Sequence, residues 1–294
     1  MFHPNFMPDI LVKDGIRVVE TSPMRHILHI VHISLFLIML QSGCDKFEYS
    51  PYQTSIPDMP RELNRRNVER LLSAGGQYSG DTVTIAYSGD PQRFYDQLHR
   101  LVEKVNTIPG IDFLVLSGDI ADFGLLQEYN WIYERLRHLN IPYICAIGNH
   151  DFTANNGLLY EKIFGEKNFS FQYKGYKFLV HDTNGREYNF NGSIPDLQWL
   201  GEQLEDTTAS WFVGIAHVPP YDVDFDKNLE EPYKDLFASR SNFILSLYGH
   251  WHNTSDMFAY DDHVRYMTSN GVQQSEFVLL KLVRGAIIKE LVSY

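Results

Sequence analysis

Cysteine is scarce: Cys44 and Cys145 are the two in 294 residues. Two are too few for a disulfide framework, and Cys145, set inside an apolar run, reads as a small buried hydrophobe. No apolar run reaches the ~20 residues that a membrane-spanning helix needs. The candidate, Ile27 to Leu40, has fourteen positions and is broken by His29 and His32. Basic residues are outnumbered, with 25 Lys and Arg against 37 Asp and Glu and a formal charge of −12. Residues 1–43 hold three cations (Lys13, Arg17, Arg25) and three anions (Asp9, Asp14, Glu20), so the excess belongs to the rest. Such an acidic surface disfavours non-specific binding to nucleic acid or anionic lipid, and no specific nucleic-acid binding is expected. There is no internal repeat and no low-complexity tract. What remains is ordinary globular composition, 44% hydrophobic and 21% charged, long enough for one large or two small domains.

What the chain does have is a recurring pattern: buried apolar runs that end in metal-ligand residue types. Ile111 to Leu116 reads as a central parallel strand, and it is followed by Ser117-Gly118-Asp119-Ile120-Ala121-Asp122. Asp119 then sits at the carboxyl end of the strand, where open α/β sheets place ligands. A turn aspartate would suffice to explain that position alone. Four more runs end alike, in Gly89-Asp90, in Gly148-Asn149-His150-Asp151, in Ala216-His217 and in Gly249-His250-Trp251-His252. Turn chemistry does not account for five such ends, whereas a shared metal site does.

Taken in order, residues 24–44 have the form of a targeting signal. Met24-Arg25 opens a weakly basic segment, the fourteen-residue apolar core follows, and Gln41-Ser42-Gly43-Cys44 closes it with small residues before a cysteine. This resembles a bacterial lipoprotein signal with Cys44 as the lipidated residue, although Leu40 stands one place early. It implies an exported protein, lipid-anchored to a bacterial membrane on its periplasmic or cell-surface face. The simplest account of residues 1–23 is an extension upstream of a true start at Met24. Asp45 to Pro60 is polar and rich in proline, and reads as a tether. A short helix is expected from Glu62 to Leu72. The expected organisation is therefore 1–44 extension and signal, 45–80 tether and helix, 81–294 globular domain.

In that domain Val83 to Tyr87 reads as the first strand. Phe94, Leu98, Leu101, Val102 and Val105 have the spacing of a helix, as do Leu126, Tyr129, Ile132, Tyr133 and Leu136. Tyr143 to Ile147 is the third strand, and the β-α-β-α-β order predicts a parallel sheet with right-handed crossovers. Gly157 to Phe164 predicts a short helix, Lys174-Gly175 a hairpin turn, and Leu197, Leu200 and Leu204 a further helix. Trp211 to Ala216 and Phe243 to Leu247 are two more buried strands. The tail, at Met257 to Tyr260, Val264 to Met267, Phe277 to Leu282 and Ile287 to Leu291, reads as antiparallel strands. Two mixed sheets with helices outside give an α/β class fold, a four-layer α/β/β/α sandwich.

Asp90-Pro91-Gln92, Gly118-Asp119-Ile120-Ala121-Asp122, Gly148-Asn149-His150-Asp151, His217 and Gly249-His250-Trp251-His252 occur in this order. Together they resemble the five motifs of the calcineurin-like metallophosphoesterases, over roughly residues 81–294. The resemblance implies a metal-dependent phosphoric ester hydrolase that acts in line on a small phosphomonoester or phosphodiester, with a metal-bound hydroxide as nucleophile. Phosphate esters resist attack because their oxygens are anionic. Two divalent ions about 3.5–4 Å apart neutralise that charge and deprotonate a water between them. A carboxylate has two oxygens with which to bridge two ions, and Asp119 is the candidate bridge. By the resemblance Asp90 and His252 complete the first site, with Gln92 at its edge, and Asn149, His217 and His250 complete the second. Such mixed nitrogen and oxygen shells suit Mn, Fe or Zn.

The resemblance makes His150 the acid that protonates the leaving alkoxide, a role that suits a histidine near neutral pH. It makes Asp122 the carboxylate that orients it, with Asp151 as the other candidate; an ordinary helix N-cap is the competing reading of Asp122. Two departures stand out. Gln92 occupies a place where the family has histidine, so its weaker amide oxygen would have to serve. Phe123-Gly124 follows Asp122 where Ser/Thr protein phosphatases carry a phosphate-gripping arginine, which argues against a protein phosphatase. His181 and Asp182 read as a structural hydrogen-bonded pair, His263 as a solvated turn, Trp251 as packing, and Tyr221 as a residue that could stack on substrate. The rival reading is a non-catalytic surface lipoprotein that keeps the fold as a binding module. Retention of Asp119, Asn149, His150, His217, His250 and His252 argues against it.

Overall fold

The computed structural model describes residues 11–13, 16–18, 27–28, 30–35, 52–56, 59–74 and 81–294. It divides into two compact units, Met1–Ser50 and Pro51–Tyr294. In the first, β1 (Leu11–Lys13) and β2 (Ile16–Val18) pair antiparallel, and residues 27–28 and 30–35 are helical with exposed side chains. Cys44, the expected lipidation residue, lies outside the described residues. Among those described, no helix is long and apolar enough to cross a membrane.

The second unit begins with α1 (Leu63–Ala74). It is the short helix expected from Glu62 to Leu72, and it packs on the folded body. Asn64 reaches β5 (Tyr143–Cys145), its amide donating to the Cys145 carbonyl and its oxygen accepting the Cys145 N–H, both at 2.9 Å. Ile56 and Met59 are buried beside it. The polarity of 45–60 hid these two apolar anchors.

One sheet has the order β13-β12-β3-β4-β5, where β3 is Thr82–Ser88, β4 Phe113–Leu116, β12 Glu276–Val283 and β13 Ala286–Ser293. The strands β3, β4 and β5 are parallel, linked by α2 (Tyr95–Thr107) and α3 (Leu126–Leu136). β4 is a central parallel strand, as expected, paired with β3 on one side and β5 on the other, and β12 returns from the tail to pair antiparallel with β3. The other sheet has the order β10-β11-β9-β8-β7-β6: β6 is Phe169–Tyr173, β7 Tyr176–Val180, β8 Trp211–Ile215, β9 Phe243–Tyr248, β10 Ser255–Met257 and β11 Arg265–Thr268. Here β7, β8, β9 and β11 run parallel. The parallel pairing of β11 with β9 departs from the all-antiparallel tail read from sequence. Period-2 patterning gives a strand its faces but not its direction.

That alternation explains the layers. In β4, Phe113 and Val115 point to the core between the sheets, and Leu114 and Leu116 to the core under the helices. Val213 and Ile215 of β8 and Leu245 and Leu247 of β9 complete the inner core from the other side. The outer face of the six-stranded sheet is covered by α5 (Leu197–Leu204) and α6 (Lys227–Ala238), through Leu200, Leu204, Tyr233 and Phe237. On the far side lie α1, α2, α3 and α4 (Leu158–Phe164), so the architecture is a four-layer α/β/β/α sandwich. Helix α6 was not expected from sequence: Pro232 interrupts the pattern, and only Tyr233 and Phe237 are buried. Each large apolar side chain buried in these layers contributes about 1.5–3 kcal/mol.

A polar bond crosses the inner core directly beneath the functional edge. The buried hydroxyl of Tyr87, on β3, accepts the N–H of Tyr248 at 2.9 Å and faces the carbonyls of Tyr248 and Met267 as donor. It ties the end of β3 to the ends of β9 and β11, and so sets the spacing of the loops that follow.

Candidate metal centre and active site

The residues singled out by sequence meet at one edge of the sandwich, beyond the carboxyl ends of β3, β4, β5, β8 and β9. The five-stranded sheet brings Asp90, Gln92, Asp119, Asn149 and His150; the six-stranded sheet brings His217, His250 and His252. The turns are sharp. Asp90, Gln92, Asp119, His250 and His252 all have positive φ, between 39° and 69°, a region that non-glycine residues visit rarely and that clusters at functional sites. Glycine is required beside them: a Cβ on Gly148 would strike the Asp119 backbone, and one on Gly118 the His217 ring.

Asp90 and Asp119 are 0% and 2% exposed, and His217 is 0%. One ligand atom from each of these three lies within 4.8 Å of the others. Around them, His217 Nε2 is 3.2 Å from Asp119 Oδ1 and 3.0 Å from Asn149 Oδ1. His250 Nδ1 is 3.1 Å from the same Asn149 oxygen, and His252 Nε2 is 3.2 Å from Asp90 Oδ1. Gln92 lies against Asp119 with its amide nitrogen 3.0 Å from Oδ2. An amide nitrogen is no metal ligand, so Gln92 would serve only with its amide turned by half a rotation, which brings its oxygen inward.

This donor set fits a divalent cation. Asp90 Oδ2 is buried and accepts no hydrogen bond, a costly state unless a positive charge satisfies it. Burial works against charge on the His217 ring, but the carboxylate of Asp119 outweighs it and lifts its pKa to about 10. Burial likewise pushes Asp119 up, yet the facing His217 and His150 hold it well below the usual carboxylate range. The buried oxygens thus draw positive charge to this point, as a proton on the ring or as a cation in its place. His217 Nδ1 donates to the Ser117 carbonyl at 2.7 Å, so in a neutral ring the Nε2 lone pair is free to bind a cation.

His150 stands apart from the ligands, with its side chain 37% exposed and Nε2 3.9 Å from Asp119 Oδ2. Its Nδ1 donates at 2.7 Å to the main-chain carbonyl of Asp122, while the Asp122 carboxylate is at 3.6 Å. The ring is therefore oriented by the backbone of Asp122, and the carboxylate adds charge beside it. That carboxylate also pairs with Arg93, at 3.3 Å. Asp122 is no helix N-cap: α3 is capped at Leu125, where the Glu128 side chain accepts the N–H groups of Phe123 and Leu125.

Asp151, the other candidate for orienting His150, does something else. Its carboxylate accepts from the N–H groups of Ile120, Ala121 and Gly148 and from the Tyr129 hydroxyl, at 2.8–3.2 Å. Burial, reinforced by the charge of Asp119, pushes its pKa up to about 7 against those four donors. It clamps the loop after β4 to the loop after β5. Asp151→Ala would leave four buried donors unpaired and is expected to cost about 2–4 kcal/mol of stability, read from the denaturant midpoint. A change under ~0.5 kcal/mol would show that the loops are held in some other way.

Other expectations resolve here. His181 is a buried structural residue bonded to Tyr233 at 2.7 Å, and Asp182 to Tyr188 at 2.9 Å and to Asn184. They are satisfied separately, not as a pair. The exposed His263 bonds the Arg240 carbonyl. Tyr221 packs on Trp251 with ring centroids 5.1 Å apart and its hydroxyl buried, and so shapes the loop. Sequence reasoning missed Gln273, whose amide meets His252 Nδ1 at 3.0 Å, and Asp222 and Asp224, which flank His250 Nε2 at 3.5 Å each. Only a short-range Asp-x-Asp after His217 hinted at the latter two.

Comparison with known proteins agrees with this edge. A family model described as calcineurin-like phosphoesterase matches residues 83–254. The chain is 26% identical over 172 residues to a probable glycerophosphodiester phosphodiesterase of Arcobacter nitrofigilis, covering 54% of this chain and 63% of that protein. It is 24% identical over 151 residues to a 3',5'-cyclic-nucleotide phosphodiesterase of Nostoc sp., covering 49% and 57%. The aligned region thus spans less than two-thirds of either relative. Among solved structures, a dimetal phosphatase from Danio rerio shares the fold, with a TM-score of 0.56 at 14% identity over 72% of this chain and 99% of that one. With the family model covering more than half of its length, and the motifs meeting at one site, the chain belongs to the calcineurin-like phosphoesterase family.

Proposed function

We propose that this chain is a metal-dependent phosphoric ester hydrolase that acts on a small phosphodiester through two divalent ions, Mn, Fe or Zn. The observation that carries the reading is the convergence of Asp90, Asp119, Asn149, His217, His250 and His252 on one pocket with a buried, unpartnered carboxylate oxygen. Asp90, Asp119 and His252, with Gln92 if its oxygen faces inward, would hold the first ion, and Asp119, Asn149, His217 and His250 the second. When bound, such ions neutralise phosphoryl oxygens and lower the pKa of water. The chain's own residues do the rest. Asp119, with one oxygen toward His217 and the other toward Gln92, holds the two half-sites together. His150, fixed through Nδ1 by the Asp122 carbonyl, presents Nε2 to the pocket and delivers a proton to the leaving alkoxide. The Asp122 carboxylate lies beside the ring, 3.6 Å from Nδ1. A diester is favoured over a monoester because the relatives above are named as phosphodiesterases.

The signal-like segment ending in Cys44 supports a second part of the proposal, export and a lipid anchor at Cys44, which would put the pocket at a membrane surface. One experiment tests both parts. Protein extracted from membranes without chelators is analysed for metal, for the mass of its N-terminal peptide, and for turnover of glycerophosphodiesters, 3',5'-cyclic nucleotides and matching monoesters. The expected result is about two metal equivalents, an acylated Cys44 at the N-terminus, and faster turnover of a diester. Metal-loaded protein that hydrolyses none of these would favour the binding-module reading. An unmodified N-terminus upstream of Cys44, in the soluble fraction, would remove the anchor.

A further inference from the structure

We propose that Asp222 and Asp224 are positioning residues that hold a proton on Nε2 of His250 and thereby make its Nδ1 the nitrogen that binds the second ion. The inference rests on the two-ion reading above and goes further, since neither residue belongs to the motifs.

The His250 ring lies between two sets of oxygens. Its Nδ1 is 3.1 Å from Asn149 Oδ1, an oxygen already approached by His217 Nε2 at 3.0 Å. Its Nε2 is 3.5 Å from both Asp222 Oδ1 and Asp224 Oδ2. A neutral imidazole has one proton for two sides. Two carboxylates attract it more strongly than one amide oxygen, so it resides on Nε2. The Nδ1 lone pair is then aimed at the Asn149 oxygen, an arrangement of two electron donors that is stable only with a cation between them. The backbone that carries the ring is fixed. His250 sits at a φ of 69°, and its main-chain N–H donates to Asp90 Oδ1 at 3.2 Å.

The carboxylates are themselves fixed. Trp251 Nε1 donates to Asp222 Oδ2 at 2.6 Å, and the Asp224 N–H donates to Asp222 Oδ1 at 2.9 Å. Asp224 is 5% exposed and ion-pairs with Arg186. That guanidinium balances one of the two negative charges and leaves the pair facing the ring N–H; the same three residues lie close enough to share a cation, the alternative that the titration below separates. The three imidazoles of the site therefore have three kinds of support: a main-chain carbonyl for His217, a glutamine amide for His252, and an anionic pair for His250. An anionic partner makes the ring the stronger electron donor.

The test is a calorimetric titration of metal-free protein with Mn²⁺, for wild type, Asp222→Asn, Asp224→Asn and the double variant, with thermal melts alongside. Asparagine keeps size and an acceptor oxygen but removes the charge. One of the two binding steps is expected to weaken by about 10–100-fold in the double variant while the other is unchanged. Two unchanged steps overturn the proposal and leave the proposed function standing. Loss of a third metal equivalent would overturn it too, by showing the carboxylates to be ligands. A wild type that binds no metal defeats both readings. Should the double variant fail to fold, nitrogen–proton correlation spectra of the zinc-loaded wild type decide the matter. The His250 ring should carry one proton, on Nε2, and a proton on Nδ1 would refute the assignment.

Discussion

Asp119→Asn is expected to lower ester hydrolysis by at least about a thousandfold and to strip metal from the protein. The magnitude follows from the loss of preorganised charge at a buried site, where removing even one neutral donor costs about 10²–10³. Asp119 gives more than that. Its Oδ1 faces His217 Nε2 at 3.2 Å and accepts the His150 N–H at 2.9 Å, and its Oδ2 faces the Gln92 amide at 3.0 Å. An asparagine of the same shape carries no charge, and whichever way its NH₂ turns, it meets a donor. The fully buried His217 would also lose its counter-charge, and breaking such a pair costs roughly 3–5 kcal/mol, so melts must accompany the assay. Metal analysis separates the outcomes. A folded variant with wild-type metal content and full activity would exclude Asp119 as the bridge.

His150→Ala should leave metal content unchanged and slow hydrolysis by ~10²–10⁴, the usual contribution of a general acid. Metal should stay because the ring contacts no ligand closely: Nε2 is 3.9 Å from Asp119, and the closer bond to that residue comes from the His150 main chain, which alanine retains. The loss should shrink for a nitrophenyl ester, whose leaving group needs little protonation, and be largest for an alkyl ester. An equal loss on both would refute proton delivery and leave His150 a role in binding.

Much of this site could be read before the fold was seen, because its residues follow apolar runs that can only be buried strands. The direction of the tail strands could not be read. The pairing of β11 parallel to β9, and of β12 beside β3, is decided by which edge is free after the crossovers, and that has no local signature. Helix α6 was hidden because Pro232 broke its pattern. The orienting partner of His150 was sought among carboxylates, and the structure gives a main-chain carbonyl, to which no residue type corresponds. The supports of His250 and His252 lie 21 to 28 residues away in sequence, on other loops, and no spacing announces them. Asp151 was visible as an acid next to His150, but its four donors come from elements that only the fold brings together.

The left-handed turns carry a wider consequence. Five site residues without the freedom of glycine sit at positive φ, and at roughly 1 kcal/mol each they lower stability by an amount comparable to the net stability of a small domain. Asp90 and Asp119 tolerate this region better than Gln92 does, so the tension is uneven along the edge. The sheets beneath, joined through Tyr87, must hold a surplus that the loops use up. Evolution of new specificity at this edge is then limited less by chemistry than by reserve, and substitutions that deepen packing between the sheets are the ones that make later loop changes survivable.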